Sequence, residues 1–122
     1  EGLINLGVIT QSLEEALDME SGQLRHWYMH NTSHWIGLDV HDAGVYKPGG
    51  EPRALEPGMC LTIEPGLYFG AWRPDVDCPE RYANIGIRIE DDILVTKDGP
   101  RILTEDCPKT VEEIERIVGQ PL

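Results

Sequence analysis

Two glutamates are the first residues of this sequence whose type and spacing point to chemistry. Glu64 and Glu90 each end a stretch in which apolar and other residues alternate, as in a β-strand. We therefore expect each carboxylate on the strand face opposite the apolar side chains. Like charges side by side on a sheet repel. One interpretation is an exposed face on which Arg88 pairs with one glutamate; the other is a metal site of carboxylate oxygens plus a histidine nitrogen.

Four histidines lie close together in the chain, and this clustering favours a metal ligand among them. They are His26, His30, His34 and His41. The first three recur every four residues, which is the spacing of one helical face. The aromatic and β-forming residues around them favour extended or irregular backbone instead. The His-Glu-x-x-His helix of metalloproteases is absent, because Asn31 follows His30.

Several other catalytic classes have no support in the sequence. It contains no Gly-x-Ser-x-Gly elbow, no phosphate-binding Gly-Lys-Ser/Thr loop and no Gly-x-Gly-x-x-Gly dinucleotide fingerprint. A Cys–His nucleophile built on Cys60 or Cys78 has no specific pattern behind it. Cys60 is expected to be a small buried hydrophobe.

Composition restricts the partners. The 122 residues suit one domain or a piece of a larger one, and the net charge of −12 repels phosphate backbones, so we expect no nucleic-acid partner. No apolar run approaches the ~20 residues of a membrane-spanning helix, and no secretory signal opens the chain, so we expect no membrane partner. Three cysteines without zinc or redox spacing favour a reducing compartment, and we expect a cytoplasmic protein.

Helices are predicted at two capping boxes. The pattern Ser12-x-x-Glu15 begins a helix that we expect to end at Ser21–Gly22. The pattern Thr110-x-x-Glu113 begins a second helix, which Gly119 closes. Its apolar stripe consists of Val111, Ile114, Ile117 and Val118.

Strands are predicted at 59–64, 85–90, 93–95 and 101–103, the last two joined by an Asp98–Gly99 hairpin turn. Segments 47–52 and 71–84 are expected to be loops. The fold class is therefore α+β, with mainly antiparallel strands flanked by helices. The chain opens at Glu1 on residues typical of the end of a helix, so we interpret it as a piece of a longer protein.

Three blocks of sequence resemble the C-terminal motifs of aminopeptidase P, the Xaa-Pro aminopeptidase branch of the pita-bread metallopeptidases. They are 30–42 (His-Asn-Thr-Ser-His-Trp-Ile-Gly-Leu-Asp-Val-His-Asp), 55–68 (Leu-Glu-Pro-Gly-Met-Cys-Leu-Thr-Ile-Glu-Pro-Gly-Leu-Tyr) and 85–92 (Ile-Gly-Ile-Arg-Ile-Glu-Asp-Asp). The resemblance implies that 1–122 is the C-terminal part of a pita-bread catalytic domain, with a curved, mainly antiparallel sheet. The N-terminal domain and the first half of the catalytic domain would then be absent from this chain.

The resemblance also implies a metal centre. His34, Glu64 and Glu90 match three of the five ligands of a dinuclear site that usually holds Mn²⁺, with Co²⁺ or Zn²⁺ as alternatives. The other two ligands of the family are upstream aspartates, whose positions this chain does not contain. Asp39, Asp42, Asp91 and Asp92 are expected to be structural or solvated charges rather than ligands.

Further roles follow from the same resemblance. Glu64 would also carry a proton to the leaving proline nitrogen. His41 and His30 would contact the scissile carbonyl or the proline ring, and Arg88 would orient Glu90. Tyr68 is a candidate pocket residue.

The function expected from this resemblance is a metal-dependent exopeptidase that removes an N-terminal residue when proline is second. Its partner is then a peptide substrate, and the whole protein is expected to be a homo-oligomer. The 122 residues alone are expected to be inactive, with exposed apolar surface and a tendency to associate. The alternatives are prolidase, which cleaves Xaa-Pro dipeptides, and a non-catalytic pita-bread binding module. The joint presence of His34, Glu64 and Glu90 speaks against the module.

Overall fold

Short helices and antiparallel strands make up the computed structural model, which describes residues 1–70 and 76–121. In chain order the elements are α1 (Gly2–Asn5), α2 (Leu13–Ala16), α3 (Leu24–Trp27), β1 (Cys60–Ile63), β2 (Gly66–Phe69), β3 (Ile85–Arg88), β4 (Asp91–Thr96), β5 (Gly99–Ile102) and α4 (Val111–Ile117). All paired strands are antiparallel. The α+β prediction is confirmed.

The chain divides into two compact units. The first unit comprises Glu1–Asn31 and Pro65–Arg88, and the second comprises Thr32–Glu64 and Ile89–Leu122. The first therefore holds α1 to α3, β2 and β3. The second holds β1, β4, β5 and α4.

An apolar cluster forms the centre of the first unit. Its fully buried members are Leu3, Val8, Ile9, Ala16, Trp27 and Phe69. The rings of Trp27 and Phe69 lie 5.1 Å apart between centroids. Strand β2 pairs with β3, with Leu67 opposite Ile87. Burial of these side chains is the main favourable term for this unit.

A three-stranded sheet in the order β1-β4-β5 forms the second unit. Strands β4 and β5 form the predicted hairpin, but the turn lies at Lys97–Asp98 and Gly99 already pairs with Thr96, so the turn is one residue earlier than predicted. Pro100 lies on β5, an edge strand of this sheet, where the missing N–H is tolerated. Residues 32–36 run antiparallel beside β1 on its other side, with Trp35 opposite Leu61.

Both predicted capping boxes are confirmed, and they begin α2 and α4. Helix α2 ends at Ala16, earlier than the predicted Ser21–Gly22 boundary. The cause is Asp18, whose carboxylate accepts the backbone N–H groups of Glu20 and Ser21 at 3.0 and 2.7 Å. Those amides are then satisfied outside a helix.

Other details also differ from the sequence-based expectation. Residues Leu24–Trp27 form α3 where we expected extended or irregular backbone, and β5 begins at Gly99 rather than at residue 101. Strand β3 ends at Arg88, so Glu90 lies in the link to β4 rather than on a strand. Strand β2 was not predicted. Thr62 on β1 and Glu64 directly after it are buried, while Ile63 is 40% exposed, so of the two interpretations the exposed carboxylate face is wrong for Glu64.

Apolar side chains are exposed on several elements, as expected, and β3 and α4 carry the clearest examples. They are Ile85 and Ile87 on β3, and Val111 and Ile117 on α4. The predicted loop 47–52 contains one 3₁₀ turn at Pro48–Gly50, and the predicted loop 71–84 contains another at Glu80–Tyr82. Its first part, 71–75, lies outside the described residues. Within residues 1–70 and 76–121, no helix is long and apolar enough to cross a membrane.

Candidate metal centre

Backbone pairing beside β1 positions His34 and Glu64 in the second unit. Glu64 N–H donates to Thr32 O at 2.7 Å, and Thr62 N–H donates to His34 O at 3.0 Å. These two bonds set His34 opposite Thr62, two residues before Glu64. Because alternate residues of a strand share a face, Thr62 and Glu64 point to the same side.

Strand register brings Glu90, the third candidate ligand, to the same place. Strand β1 pairs with β4 so that Ile63 lies opposite Asp91. Continuing this register by one residue sets Glu64 opposite Glu90. The potential ligand atoms of His34, Glu64 and Glu90 all lie within 4.8 Å of one another. The structure thus brings together the three residues that the sequence predicts as metal ligands.

The imidazole of His34 is oriented for coordination. Its Nδ1 lies 3.0 Å from Trp35 O. A carbonyl oxygen only accepts hydrogen bonds, so Nδ1 carries a proton, and in the neutral ring Nε2 has the lone pair that a metal ion can bind. Nε2 lies 3.0 Å from Oε1 of Glu64. A second bond on the far ring nitrogen is the usual way that proteins orient a metal-binding histidine.

Glu64 makes the case for a cation at this place. Glu64 is only 6% exposed. Burying a carboxylate is unfavourable unless a positive charge compensates it. Its Oε1 faces the His34 lone pair, and two such atoms at hydrogen-bond distance need a proton or a metal ion between them. One imidazole and two carboxylates form a donor set that suits Mn²⁺, Co²⁺ or Zn²⁺. The residues therefore fit the implied metal.

His41 lies beside this cluster in the same unit. Its ring is 4.4 Å from that of His34 between centroids, in an edge-to-face arrangement. Asp42 shapes the loop that returns the chain to this point: its carboxylate accepts the N–H groups of Leu38 and Ala43 at 3.2 and 2.8 Å. Asp42 thus has the structural role that we expected.

Asp91 is likewise a structural charge. Its Oδ1 accepts the Thr104 hydroxyl at 2.6 Å and the Lys109 ammonium at 3.0 Å. The Thr104 hydrogen bond and then Lys109 hold the pKa of the Asp91 carboxyl below its usual range. Lys109 also donates to the Thr104 and Cys107 carbonyls at 2.8 and 2.9 Å. This network anchors the chain directly after Glu90.

The other predicted site residues, His30 and Arg88, meet at Tyr68 in the first unit. Arg88 Nε–H donates to the Tyr68 hydroxyl at 2.6 Å, and that hydroxyl lies 3.0 Å from His30 Nε2. His30 Nδ1 lies 2.7 Å from Asn31 O, so Nδ1 carries the proton and Nε2 accepts from Tyr68. The bonds run in one direction from Arg88 through Tyr68 to His30.

Gly66 permits this close approach. A β-carbon at this position would lie 2.5 Å from the Tyr68 hydroxyl and 2.9 Å from His30 Nε2. Any other residue would displace one of the two side chains.

Three contacts, two of Thr62 and one of Tyr68, escaped prediction from the sequence. The buried Thr62 hydroxyl contacts both His34 and Glu64. Its position two residues before Glu64 on a strand was the available signal. Tyr68 was singled out, but its bond to Arg88 joins residues that are 20 apart in the chain, and no local pattern marks it.

Comparison with known proteins points to one group of enzymes. The sequence model described as metallopeptidase family M24 matches residues 4–97. The chain is 48% identical over 117 residues to Xaa-Pro aminopeptidase of Escherichia coli K12, a match that covers 96% of this chain and 25% of that protein.

Solved structures give the same result. The structure of Pseudomonas aeruginosa aminopeptidase PepP superposes with a TM-score of 0.84 at 45% identity, covering 94% of this chain and 25% of that one. A zinc-substituted Escherichia coli aminopeptidase P in complex with product has a TM-score of 0.81 at 49% identity, with the same coverage. The chain thus spans about a quarter of the length of these relatives.

Proposed function

Because the chain belongs to metallopeptidase family M24, we propose that it is the C-terminal part of the catalytic domain of an Xaa-Pro aminopeptidase. Such an enzyme hydrolyses the bond between an N-terminal residue and a proline in second position. The observation that carries the proposal is the convergence of His34, Glu64 and Glu90 within 4.8 Å. The names of the similar proteins supply the substrate class.

His34, Glu64 and Glu90 would hold part of a centre of two divalent cations. Mn²⁺ is the first choice, and Co²⁺ and Zn²⁺ are the alternatives; the zinc-substituted relative supports a site that accepts more than one metal. When bound, the cations would lower the pKa of a water molecule toward ~7 and make it a nucleophile at neutral pH. Glu90 would supply carboxylate oxygens as the third of these ligands.

Glu64 would move the proton that the reaction requires. Water adds to the scissile carbonyl carbon, and the bond from that carbon to the proline nitrogen breaks. The nitrogen must gain a proton as it leaves, and the water must lose one. A buried carboxylate next to the metal ligand His34 is suited to take the first proton and deliver it to the nitrogen.

His41 and His30 would contact different parts of the substrate. His41 is exposed beside His34 and would contact the scissile carbonyl. Both ring nitrogens of His30 are engaged in hydrogen bonds, so this ring would instead pack against the proline. Arg88, with Tyr68, would hold His30 in place, and the orientation of Glu90 by Arg88 stays a prediction.

Three further properties of the whole protein belong to this proposal. It would be a homo-oligomer, it would reside in the cytoplasm, and its substrates would be peptides with proline in second position. The 122 residues alone would not hydrolyse peptides, because they carry three of the five ligands that the resemblance implies.

The test is hydrolysis by the whole protein that contains these residues. With Mn²⁺ present, we expect release of the first residue from a tripeptide with proline second. Cleavage of an Xaa-Pro dipeptide without cleavage of the tripeptide would make the enzyme a prolidase. No cleavage of either peptide, although Mn²⁺ binds, would favour the non-catalytic binding module.

Substitutions connect this activity to the cluster. Glu64→Gln removes the proton carrier, and we expect kcat to fall by about 10²–10⁴-fold. Glu51→Gln is the matched control, because Glu51 is an exposed glutamate of the same unit outside the cluster. Equal activity of the two variants would contradict the role of Glu64.

A further inference from the structure

The Thr62 hydroxyl connects two of the candidate metal ligands. It lies 3.1 Å from the backbone nitrogen of His34 and 3.0 Å from Oε1 of Glu64. Thr62 itself is 0% exposed, so no water competes for either bond. We propose that Thr62 is a positioning residue, which orders His34 and Glu64 for metal binding before the metal arrives. This inference rests on the proposed metal centre.

Hydrogen-bond chemistry fixes the direction of both contacts. The His34 backbone N–H can only donate, so the Thr62 hydroxyl oxygen accepts it. The hydroxyl proton is then free to be donated to the Glu64 carboxylate, which can only accept when ionised. A hydroxyl is the one small group that fills both roles at once. A methyl group in its place would leave the His34 N–H without its acceptor and Glu64 Oε1 without the Thr62 donor.

The geometry also restrains the Glu64 side chain. Its Oε1 lies 3.0 Å from the Thr62 hydroxyl and 3.0 Å from His34 Nε2. Thr62 is β-branched and lies within β1, so its own χ1 angle has little freedom. Glu64 is thereby held toward His34 by a rigid partner. A mobile glutamate side chain would lose rotamer entropy when it binds a metal. Because Thr62 already restrains Glu64, metal binding costs less entropy here.

The backbone at this point makes the hydroxyl necessary. Thr62 N–H bonds to His34 O at 3.0 Å, which is an ordinary antiparallel contact. The reciprocal bond from His34 N–H goes to the Thr62 side chain rather than to its carbonyl. The Thr62 hydroxyl therefore replaces a backbone carbonyl as the acceptor in the pairing of residues 32–36 with β1. Loss of the hydroxyl would loosen the segment that carries His34 as well as the Glu64 carboxylate.

Metal affinity of the whole protein tests this role without relying on its activity. Thr62→Val keeps the shape but removes the hydroxyl, and Thr62→Ser keeps the hydroxyl. We expect the Mn²⁺ dissociation constant, measured by electron paramagnetic resonance of the free ion, to rise about 10–100-fold in T62V. In T62S it should stay within about threefold of wild type, because the hydroxyl is retained.

Thr96→Val is the matched control. Its hydroxyl donates to Gly99 O at 2.6 Å in the β4–β5 turn of the same unit. It loses a threonine hydroxyl bond away from the candidate ligands, so we expect wild-type Mn²⁺ affinity. If T62V lacks the wild-type circular dichroism spectrum, T62S and T62A give the same comparison, since they differ only in the hydroxyl.

Each outcome has a distinct meaning. Wild-type affinity in T62V, or equal affinity in T62S and T62A, would overturn the positioning role and leave the proposed function intact. Absence of Mn²⁺ binding by the wild-type protein would overturn the proposed metal centre, and the role of Thr62 with it. An affinity loss in T96V equal to that in T62V would also overturn the role, because the effect would then be general.

Discussion

The two units of the molecule differ in what they bury. The first unit buries an apolar cluster, in which the largest side chain, that of Trp27, is 2% exposed. Among the described residues of the second unit, only Leu61, Thr62 and Glu64 are fully buried, and two of these three are polar. The exposed apolar stripe of α4 contributes little burial there.

The buried residues of the first unit therefore serve stability, and those of the second unit are suited to bind a cation. Burial of apolar surface stabilises the first unit without any ligand. A buried carboxylate destabilises the second unit unless a positive charge compensates it. Proteins retain such groups where function requires them. We therefore expect divalent cations to stabilise the second unit, and substitutions in the apolar cluster to destabilise the first.

The largest effect is expected from Trp27→Ala. Removing a buried aromatic ring from the first unit should lower the free energy of unfolding by about 3–5 kcal/mol. Urea denaturation of the whole protein measures this loss, and added Mn²⁺ should not abolish it. Met19→Ala, at an exposed position of the same unit, should change it by less than about 0.5 kcal/mol. A similar small loss in both variants would contradict the apolar cluster as the stabilising centre.

Mn²⁺ itself should produce the next largest effect. A ligand that binds only the folded state adds about 2.7 kcal/mol at a concentration 100 times its dissociation constant. Denaturation with and without Mn²⁺ measures this gain. Glu90→Gln removes an exposed candidate ligand of the second unit and should abolish most of the gain. Equal stabilisation of this variant and wild type would place the metal elsewhere.

Tyr68→Phe should separate the units by function. It removes the hydroxyl that joins Arg88 to His30 in the first unit. We expect kcat/KM to fall about tenfold, which corresponds to a loss of about 1.4 kcal/mol of transition-state stabilisation. The Mn²⁺ dissociation constant should stay unchanged, because Tyr68 bonds to Arg88 and His30, and neither is one of the three candidate ligands. Tyr82→Phe, at a tyrosine of the first unit outside this chain of bonds, is the control. Loss of Mn²⁺ affinity in Y68F would contradict the separation.

Thr110→Ala should have a smaller and local effect. It removes the N-cap of α4 and should lower the free energy of unfolding by about 1 kcal/mol. The Mn²⁺ affinity should not change, although α4 belongs to the second unit. Thermal unfolding and Mn²⁺ titration of the same sample check both statements, and a coupled loss of affinity would show that α4 supports the metal centre.

Acid pH should affect both units alike, and this is the smallest effect. The Ser12 hydroxyl, and then its backbone N–H, hold the pKa of Glu15 below its usual range; Thr110 does the same for Glu113. A lowered folded pKa adds stability above the unfolded pKa of about 4.3, and this stability is lost as pH falls through the folded value.

The double variant E15Q/E113Q measures this term. Its free energy of unfolding should fall less steeply below about pH 4.3 than that of wild type. The curves of E14Q/E112Q, which alters the neighbouring exposed glutamates, should follow wild type. Parallel curves for all three proteins would show that the capping carboxylates carry no pH dependence.

Local patterns predicted the elements that short-range physics determines. The capping boxes at Ser12 and Thr110 and the β4–β5 hairpin depend on residues within a few positions, and all three are present, although the hairpin turns at Lys97–Asp98, one residue earlier than predicted. Alternation showed two faces for β1, but it did not show which face is covered. For this reason the burial of Glu64 and the exposure of Ile63 could not be predicted from the sequence. Strand β2 is only four residues long and directly follows the Pro65 break, so alternation could not reveal it.

The candidate site was predicted in part for the same physical reason. His34, Glu64 and Glu90 emerged because ligand types and a family resemblance single them out. Thr62 did not, because a threonine on a strand is common and its contact with His34 spans 28 residues of sequence. Long-range hydroxyl contacts require coordinates.

The most direct test is anomalous diffraction at the manganese edge from crystals of the whole protein grown with Mn²⁺. We predict anomalous peaks within about 2.0–2.6 Å of His34 Nε2 and of carboxylate oxygens of Glu64 and Glu90. Peaks elsewhere, or none at this cluster while Mn²⁺ is bound in solution, would contradict the proposal that these three residues form a metal centre.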